Sequence, residues 1–200
     1  MSSTLLSRRR LLLLASLSCC YTLHGHADDT RSNTAKPEID DELRTLLKQT
    51  IAASDSFEDR FDAEVWLASK MNRMERFIKD PEERFAILRK VHSAATQAGL
   101  QPEVVLAVIE VESRFDSYAV SRVGALGIMQ VMPFWKEEIG RPDDNLINLD
   151  VNLRYGCTIL KYYLDKAEGR IAEALARYNG SYGQYWYPQR VMVAWERNWR

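Results

Sequence analysis

Three stretches of this sequence carry residue types suited to chemistry: Glu112-Ser113, the run Gly124-Ala125-Leu126-Gly127-Ile128-Met129-Gln130, and Tyr178-Asn179-Gly180. A lone carboxyl backed by polar and aromatic groups suits cleavage of a glycosidic bond, with the carboxyl as proton donor. The spacing around Glu112 sharpens that reading. At about 100° per residue, Val105, Val108, Ile109 and Glu112 share one face of a helix running from Pro102 to Phe115, while Glu103, Glu110 and Arg114 point the other way. A carboxylate on an apolar stripe is unfavourable unless it is protonated or hydrogen-bonded. Desolvation raises its pKa, which is what a general acid needs near neutral pH. The bland alternative is a structural glutamate paired with an arginine.

Composition removes most competitors. A chain of 200 residues with 46% hydrophobic content is long enough to bury a core and form one domain. Met1 to Ala27 reads as a secretory signal peptide: Arg8-Arg9-Arg10 as the basic region, Leu11 to Leu17 as the apolar run, Gly25-His26-Ala27 as the cleavage site. Ser7 to Leu12 faintly resembles a twin-arginine signal. Leu17-Ser18-Cys19-Cys20 faintly resembles a lipoprotein signal, so membrane attachment is expected only through a lipid on Cys20. The expected location is the periplasm. A chain starting at Asp28 keeps His92 and Cys157 as its sole histidine and cysteine, which leaves no cluster to hold a metal and no internal disulfide. It has 24 basic against 28 acidic residues, a net charge of −4, which speaks against a nucleic-acid surface and not against a neutral sugar polymer. No cofactor is implied.

The elements that must position these residues are helical. Residues 28–36 read as a linker, and Ile39–Ala53 and Glu58–Ile78 as two helices of an N-terminal appendage spanning 28–79. Asp80-Pro81-Glu82-Glu83 starts a stronger helix: Asp80 caps, Pro81 fits the first position, and Glu83 sits where a capping box wants its carboxylate. Phe85, Leu88, Val91 and Ala95 form its inner stripe and Gly99 ends it. His92, beside that stripe, is assigned no chemistry. After Asp116 the glycines at 124 and 127 predict a short loop or extended excursion, with helical character resuming from Gly127 to Ile139. Asn148 caps a helix to about Lys166, in which Gly156 permits close packing. Gly169 to Tyr178 is a further short helix that points Tyr178 inward with Ile171, Ala174 and Leu175. Tyr182, Tyr185, Trp186, Tyr187, Trp195 and Trp199 read as core and rim packing, with stacking on sugar rings as the alternative. No run of alternating apolar and polar residues supports a sheet.

Glu112-Ser113, Gly127-Ile128-Met129-Gln130 and Tyr178-Asn179-Gly180, in that order and spacing, resemble the soluble-lytic-transglycosylase-like catalytic domain of the family 1 lytic transglycosylases, over about Phe85 to Trp199. The resemblance implies a mainly α, goose-type-lysozyme-like domain over 80–200 that acts on peptidoglycan glycan strands. It implies Glu112 as the catalytic acid and base, with Ser121, Gln130, Met132, Tyr178 and Asn179 as substrate-binding residues. Tyr178 would hydrogen-bond Glu112 or the reacting sugar, and Gly124 and Gly127 would let backbone approach the substrate. The expected product is a 1,6-anhydromuramyl end. One departure stands out: the family commonly reads Ala-Tyr-Asn-Ala-Gly, and this chain has Arg177-Tyr178-Asn179-Gly180-Ser181. Three readings stay open. They are the lytic transglycosylase, a hydrolytic muramidase whose water is positioned by a second acid such as Asp116 or by a polar side chain, and a non-catalytic peptidoglycan-binding component of an envelope or secretion assembly.

Overall fold

The computed structural model describes residues 66, 69–139 and 143–200. The leader, the linker, helix Ile39–Ala53 and the start of helix Glu58–Ile78 lie outside the described residues. The chain is mainly α, built from α1 (Pro81–Gln97), α2 (Pro102–Glu112), α3 (Phe134–Ile139), α4 (Leu149–Lys166), α5 (Ile171–Asn179) and α6 (Trp186–Ala194), followed by a π-helical turn at Trp195–Trp199. Asp80, Pro81 and Asn148 start their helices as expected. Asp80 accepts from Glu82 N at 3.0 Å with Pro81 in the first turn, and Asn148 accepts from the amides of Asp150 and Val151 at 3.0 and 3.2 Å. Gly180, at φ +77°, closes α5 in the left-handed conformation.

α2 is the axis of the molecule. Val104 through Ile109 are all buried, so this helix is apolar around its whole circumference and must be surrounded. It packs on α1, α6 and the π-helical turn, while α4 packs on α1 and α5, and α5 on α6, which closes a ring of helices. The amphipathic reading of α2 therefore needs correction. Glu103 and Glu110 do not face open solvent; each is half-buried and tied down by a partner segment. Glu103 accepts from Trp66 Nε1 at 2.6 Å and lies 3.7 Å from Lys70 Nζ. Glu110 accepts from Arg76, Asn198 and Trp199 Nε1 at 3.2, 2.9 and 2.8 Å. Residues 69–78, expected within the appendage, supply Met74 and Ile78 to the same core, and buried Lys70 donates to Trp199 O at 2.5 Å.

Two further expectations are corrected. Phe85 is 41% exposed, because Ile87, Leu88, Val91 and Ala95 carry the buried stripe of α1 and position 85 lies about 100° from its centre. The segment after Gly127 is not helical until Phe134. Leu126 and Val131 exchange both backbone hydrogen bonds at 2.9 Å, and Val120 bridges Leu126 from the other side, so the expected excursion is a pair of short antiparallel bridges. Gln130 turns the chain at φ +52° and Pro133 delays the next helix.

α4 holds this excursion from below. Asn152, fully buried, donates to Leu126 O and Leu146 O at 2.8 and 2.7 Å and accepts from Met129 N at 2.8 Å, so three loop groups are satisfied by one side chain. One turn on, Gly156 makes room for Met129: a Cβ there would lie 2.4 Å from Met129 Sδ. Gly127 is needed for the same packing rather than for approach to a substrate. At φ +72°, its Cβ would sit 2.4 Å from Asn152 Nδ2 and 2.6 Å from Leu146 O. Gly127→Ala combines left-handed strain with a clash against backbone, so we expect a loss of roughly 2 kcal/mol or more in urea or thermal unfolding. An unchanged midpoint would show that the excursion is not clamped.

Candidate active site

Glu112 is the last residue of α2, and the chain leaves it through Arg114 and Phe115, both at positive φ, 54° and 69°. Ser113 fixes this exit by donating from Oγ to Ile128 O at 2.7 Å, which ties the end of α2 to the excursion. The carboxyl is half-buried, and Tyr187 Oη donates to its Oε1 at 2.5 Å. Among the described residues no cation lies within ion-pair distance of it, in contrast to Glu103 and Glu110. Burial pushes its pKa up to about 7, against the opposing pull of the Tyr187 hydrogen bond and the Arg190 charge. Near neutral pH Glu112 therefore exists in both protonation states, as a group that must first give and then take a proton requires.

Tyr187 was missed in the sequence as a partner of Glu112. It lies on α6 with Val191 and Ala194, all three buried, and that i, i+4, i+7 spacing is the signal that its ring faces inward with a hydroxyl to satisfy. Tyr178, expected to hydrogen-bond Glu112 or the reacting sugar, does not bond to Glu112. Its hydroxyl donates to Met129 O at 2.8 Å, because α5 delivers the ring over the excursion rather than over the end of α2. Burial, followed by the neighbouring Glu112 charge, holds both tyrosine hydroxyls well above their ordinary range, so both remain donors.

Two cavities meet at Glu112. The smaller, about 300 Å³, is lined by Glu112, Ser121, Gln130, Met132, Tyr178 and Asn179, so the expected acid and the five expected substrate-binding residues border one space. The larger, about 730 Å³, shares Glu112, Ser121 and Gln130 and continues along Gln189, Arg190 and Val193 of α6. A cleft running past the carboxyl in both directions fits a linear polymer better than a small molecule. Ser121 and Gln130 also build the rim: Ser121 Oγ accepts from Ala125 N at 2.9 Å, and Gln130 Nε2 donates to Gly127 O and Ala119 O at 2.9 and 3.2 Å.

The remaining candidates lie elsewhere. Asp116 is exposed, accepts from Tyr118 N at 2.8 Å in a local turn, and lines neither cavity. Glu110 borders the larger cavity, but Arg76, Asn198 and Trp199 occupy its oxygens. His92 packs at a tilt of 58° against Trp66, with ring centroids 5.0 Å apart. Cys157 is buried behind the excursion and its thiol is pushed up to about 12, so it is inert at ordinary pH.

Residues 89–190 match the family profile described as the Transglycosylase SLT domain, which spans half of the chain, and the chain belongs to that family. A transglycosylase of Enterobacteria phage PRD1 is 32% identical over 109 residues, covering 51% of this chain and 40% of the phage protein. A protein of Photorhabdus laumondii named membrane-bound lytic murein transglycosylase C is 29% identical over 109 residues, covering 46% of this chain and 30% of its own length. The lytic transglycosylase Slt of Pseudomonas aeruginosa, solved as an inactive mutant, aligns at 22% identity with a TM-score of 0.40 over 82% of this chain and 33% of that one. The chain thus spans well under half the length of these relatives.

The raised pKa makes stability depend on pH with a definite sign. The folded state keeps the Glu112 proton up to about 7 whereas a free glutamate releases it near 4.5, so the folded state loses ground as pH rises through that window. Glu112→Gln has no proton to lose. Its melting temperature should match that of the wild type near pH 4 and exceed it by several degrees at pH 8, corresponding to roughly 1–3 kcal/mol. Equal melting curves at both pH values would show that Glu112 is solvated.

Proposed function

We propose that this chain is a peptidoglycan lytic transglycosylase that cleaves the β-1,4 bond between N-acetylmuramic acid and N-acetylglucosamine. The observation that carries the reading is Glu112: the one carboxyl among the described residues of the smaller cavity, where the two cavities meet, poised to ionise near pH 7. Glycosidases that use two carboxyls need a second one at a set separation across the scissile bond. Among the described residues lining the cleft, only Glu110 is a second acid, and its oxygens are taken. A single group that works as acid and then as base meets this limit if the nucleophile belongs to the sugar.

The steps balance without water. Protonated Glu112 donates to the bridging oxygen as the bond from C1 of the muramyl residue to that oxygen breaks, releasing the N-acetylglucosamine 4-hydroxyl. The muramyl 6-hydroxyl then bonds to C1, and its proton returns to Glu112, leaving a 1,6-anhydro ring and the carboxyl as it began. Tyr187 holds one carboxyl oxygen and so directs the other toward the substrate. Tyr178, bonded to Met129 O, fixes the wall opposite rather than the acid itself. The substrate places the chain in the bacterial envelope. Among the described residues no helix is long and apolar enough to cross a membrane.

Digestion of purified sacculi followed by mass analysis tests the reading, since an anhydro end is one water lighter than a reducing end. We expect anhydro ends from the wild type and from Asp116→Asn. For Glu112→Gln we expect a loss of several orders of magnitude in turnover. Reducing ends would assign hydrolysis instead, and glycan binding without cleavage would assign a binding module. Tyr187→Phe removes a hydrogen bond that lowers the Glu112 pKa, so the high-pH limb of the rate profile should move toward higher pH. A limb that stays in place would separate Tyr187 from the acid.

A further inference from the structure

Arg177 stands where the family motif carries a small residue, and its side chain lines the smaller cavity beside Tyr178, Asn179 and Gly180. It is held on both sides. Nε and Nη2 donate to Glu173 Oε1, one turn back on α5, at 3.1 and 2.8 Å, and the guanidinium carbon lies 4.0 Å from the centroid of the Tyr182 ring. Glu173 is shared, since its other oxygen accepts from Arg170 Nε at 2.9 Å. The grip on Glu173 leaves Nη1 with no hydrogen bond among the described residues. Among the described residues lining this cavity, Glu112 is the one acid and Arg177 the one cation.

A guanidinium pinned and stacked in this way is ready to bind a planar anion with little loss of side-chain freedom. Sugar hydroxyls and acetamido groups are neutral and make weaker bonds to it than a carboxylate does. In peptidoglycan the carboxylates are carried by the peptide stems, which hang from the lactyl groups of the muramyl residues. We propose that Arg177 is a specificity-determining residue that binds a stem carboxylate, so that this chain prefers glycan whose stems carry free carboxylates over glycan whose stem carboxylates are neutralised. The proposal rests on the peptidoglycan reading above and narrows it.

The test compares the full chain with Arg177→Ala and Arg177→Lys on glycan strands whose stems keep their free carboxylates and on the same strands with the stem carboxylates converted to amides, since removing the stems with an amidase would uncover a lactyl carboxylate on each muramyl residue. We expect the wild-type ratio of kcat/KM, free over amidated, to be ~10 or more, the worth of one charge-assisted hydrogen bond. It should fall near one for Arg177→Ala and to an intermediate value for Arg177→Lys. Added salt should lower the wild-type ratio and leave that of Arg177→Ala unmoved. A wild-type ratio near one overturns the proposal. So does an Arg177→Ala chain that loses rate on both substrates at an unchanged ratio, which would make Arg177 a packing residue. Binding of the two strands to Glu112→Gln, with and without Arg177→Ala, separates this proposal from the cleavage reading. Arg177-dependent preference in binding, with no cleavage by the wild type, keeps the subsite and removes the lyase. Binding that ignores the stem carboxylates overturns the subsite even where anhydro ends are formed.

Discussion

The site depends on one buried amide. Asn152 has its oxygen and both of its N–H groups occupied by Met129 N, Leu126 O and Leu146 O, on either side of α3. Removing the side chain would leave Leu146 O and Met129 N without this partner, each with a desolvation penalty of roughly 1–3 kcal/mol, while Leu126 O keeps its bond from Val131 N. The excursion is therefore specified by α4 rather than by its own sequence. Ser113 and Tyr178 attach to it at Ile128 and Met129, so α2 and α5 take their alignment at the cleft from a loop that α4 fixes.

A contrast within α2 explains how one acid is set apart. Three glutamates are half-buried on the same helix. Two are placed against cations or several donors, with Lys70 beside Glu103 and Arg76, Asn198 and Trp199 around Glu110. The third faces a tyrosine. A neutral donor orients a carboxyl without stabilising its charge as a guanidinium would, so burial prevails and the proton stays to about pH 7. Chemistry here comes from withholding an ion pair at one position out of three.

Much of this was legible in the sequence, and the limits have physical causes. The caps at Asp80 and Asn148, the close packing at Gly156 and the inward face of Glu112 follow from local stereochemistry and helical period, which a sequence displays directly. The residues of the smaller cavity could be gathered through family motifs because the spacing of those motifs encodes the fold. Pairings between distant segments were not legible. Tyr187 could be placed on an apolar stripe but not opposite Glu112, and Asn152 looked like any polar residue near a helix start. Periodicity also misjudged Glu103 and Glu110, since it treats a helix as having one neighbour and α2 has several. It misread residues 127–133 for the opposite reason: a few apolar residues at helical spacing were held instead by β-bridges and a left-handed Gln130.

The exit from α2 ties the state of Glu112 to the far end of the chain. Arg114 and Phe115 sit in a backbone region that L-residues avoid, and Phe115 is held there by the rings of Phe77 and Trp199 at 5.0 and 5.4 Å. Trp199 and Tyr187 both follow Glu112 by a long stretch of chain, 75 positions in the case of Tyr187. Until those later segments dock, the terminal glutamate of α2 stands in water beside an unfixed helix end, where a carboxyl gives up its proton well below neutral pH. The hold on the proton near pH 7 comes only with burial, to which α6 contributes through Tyr187. Glu112 thus owes its proton affinity to chain that lies far beyond it in the sequence, and any loosening of the C-terminal helices would return it to an ordinary carboxylate.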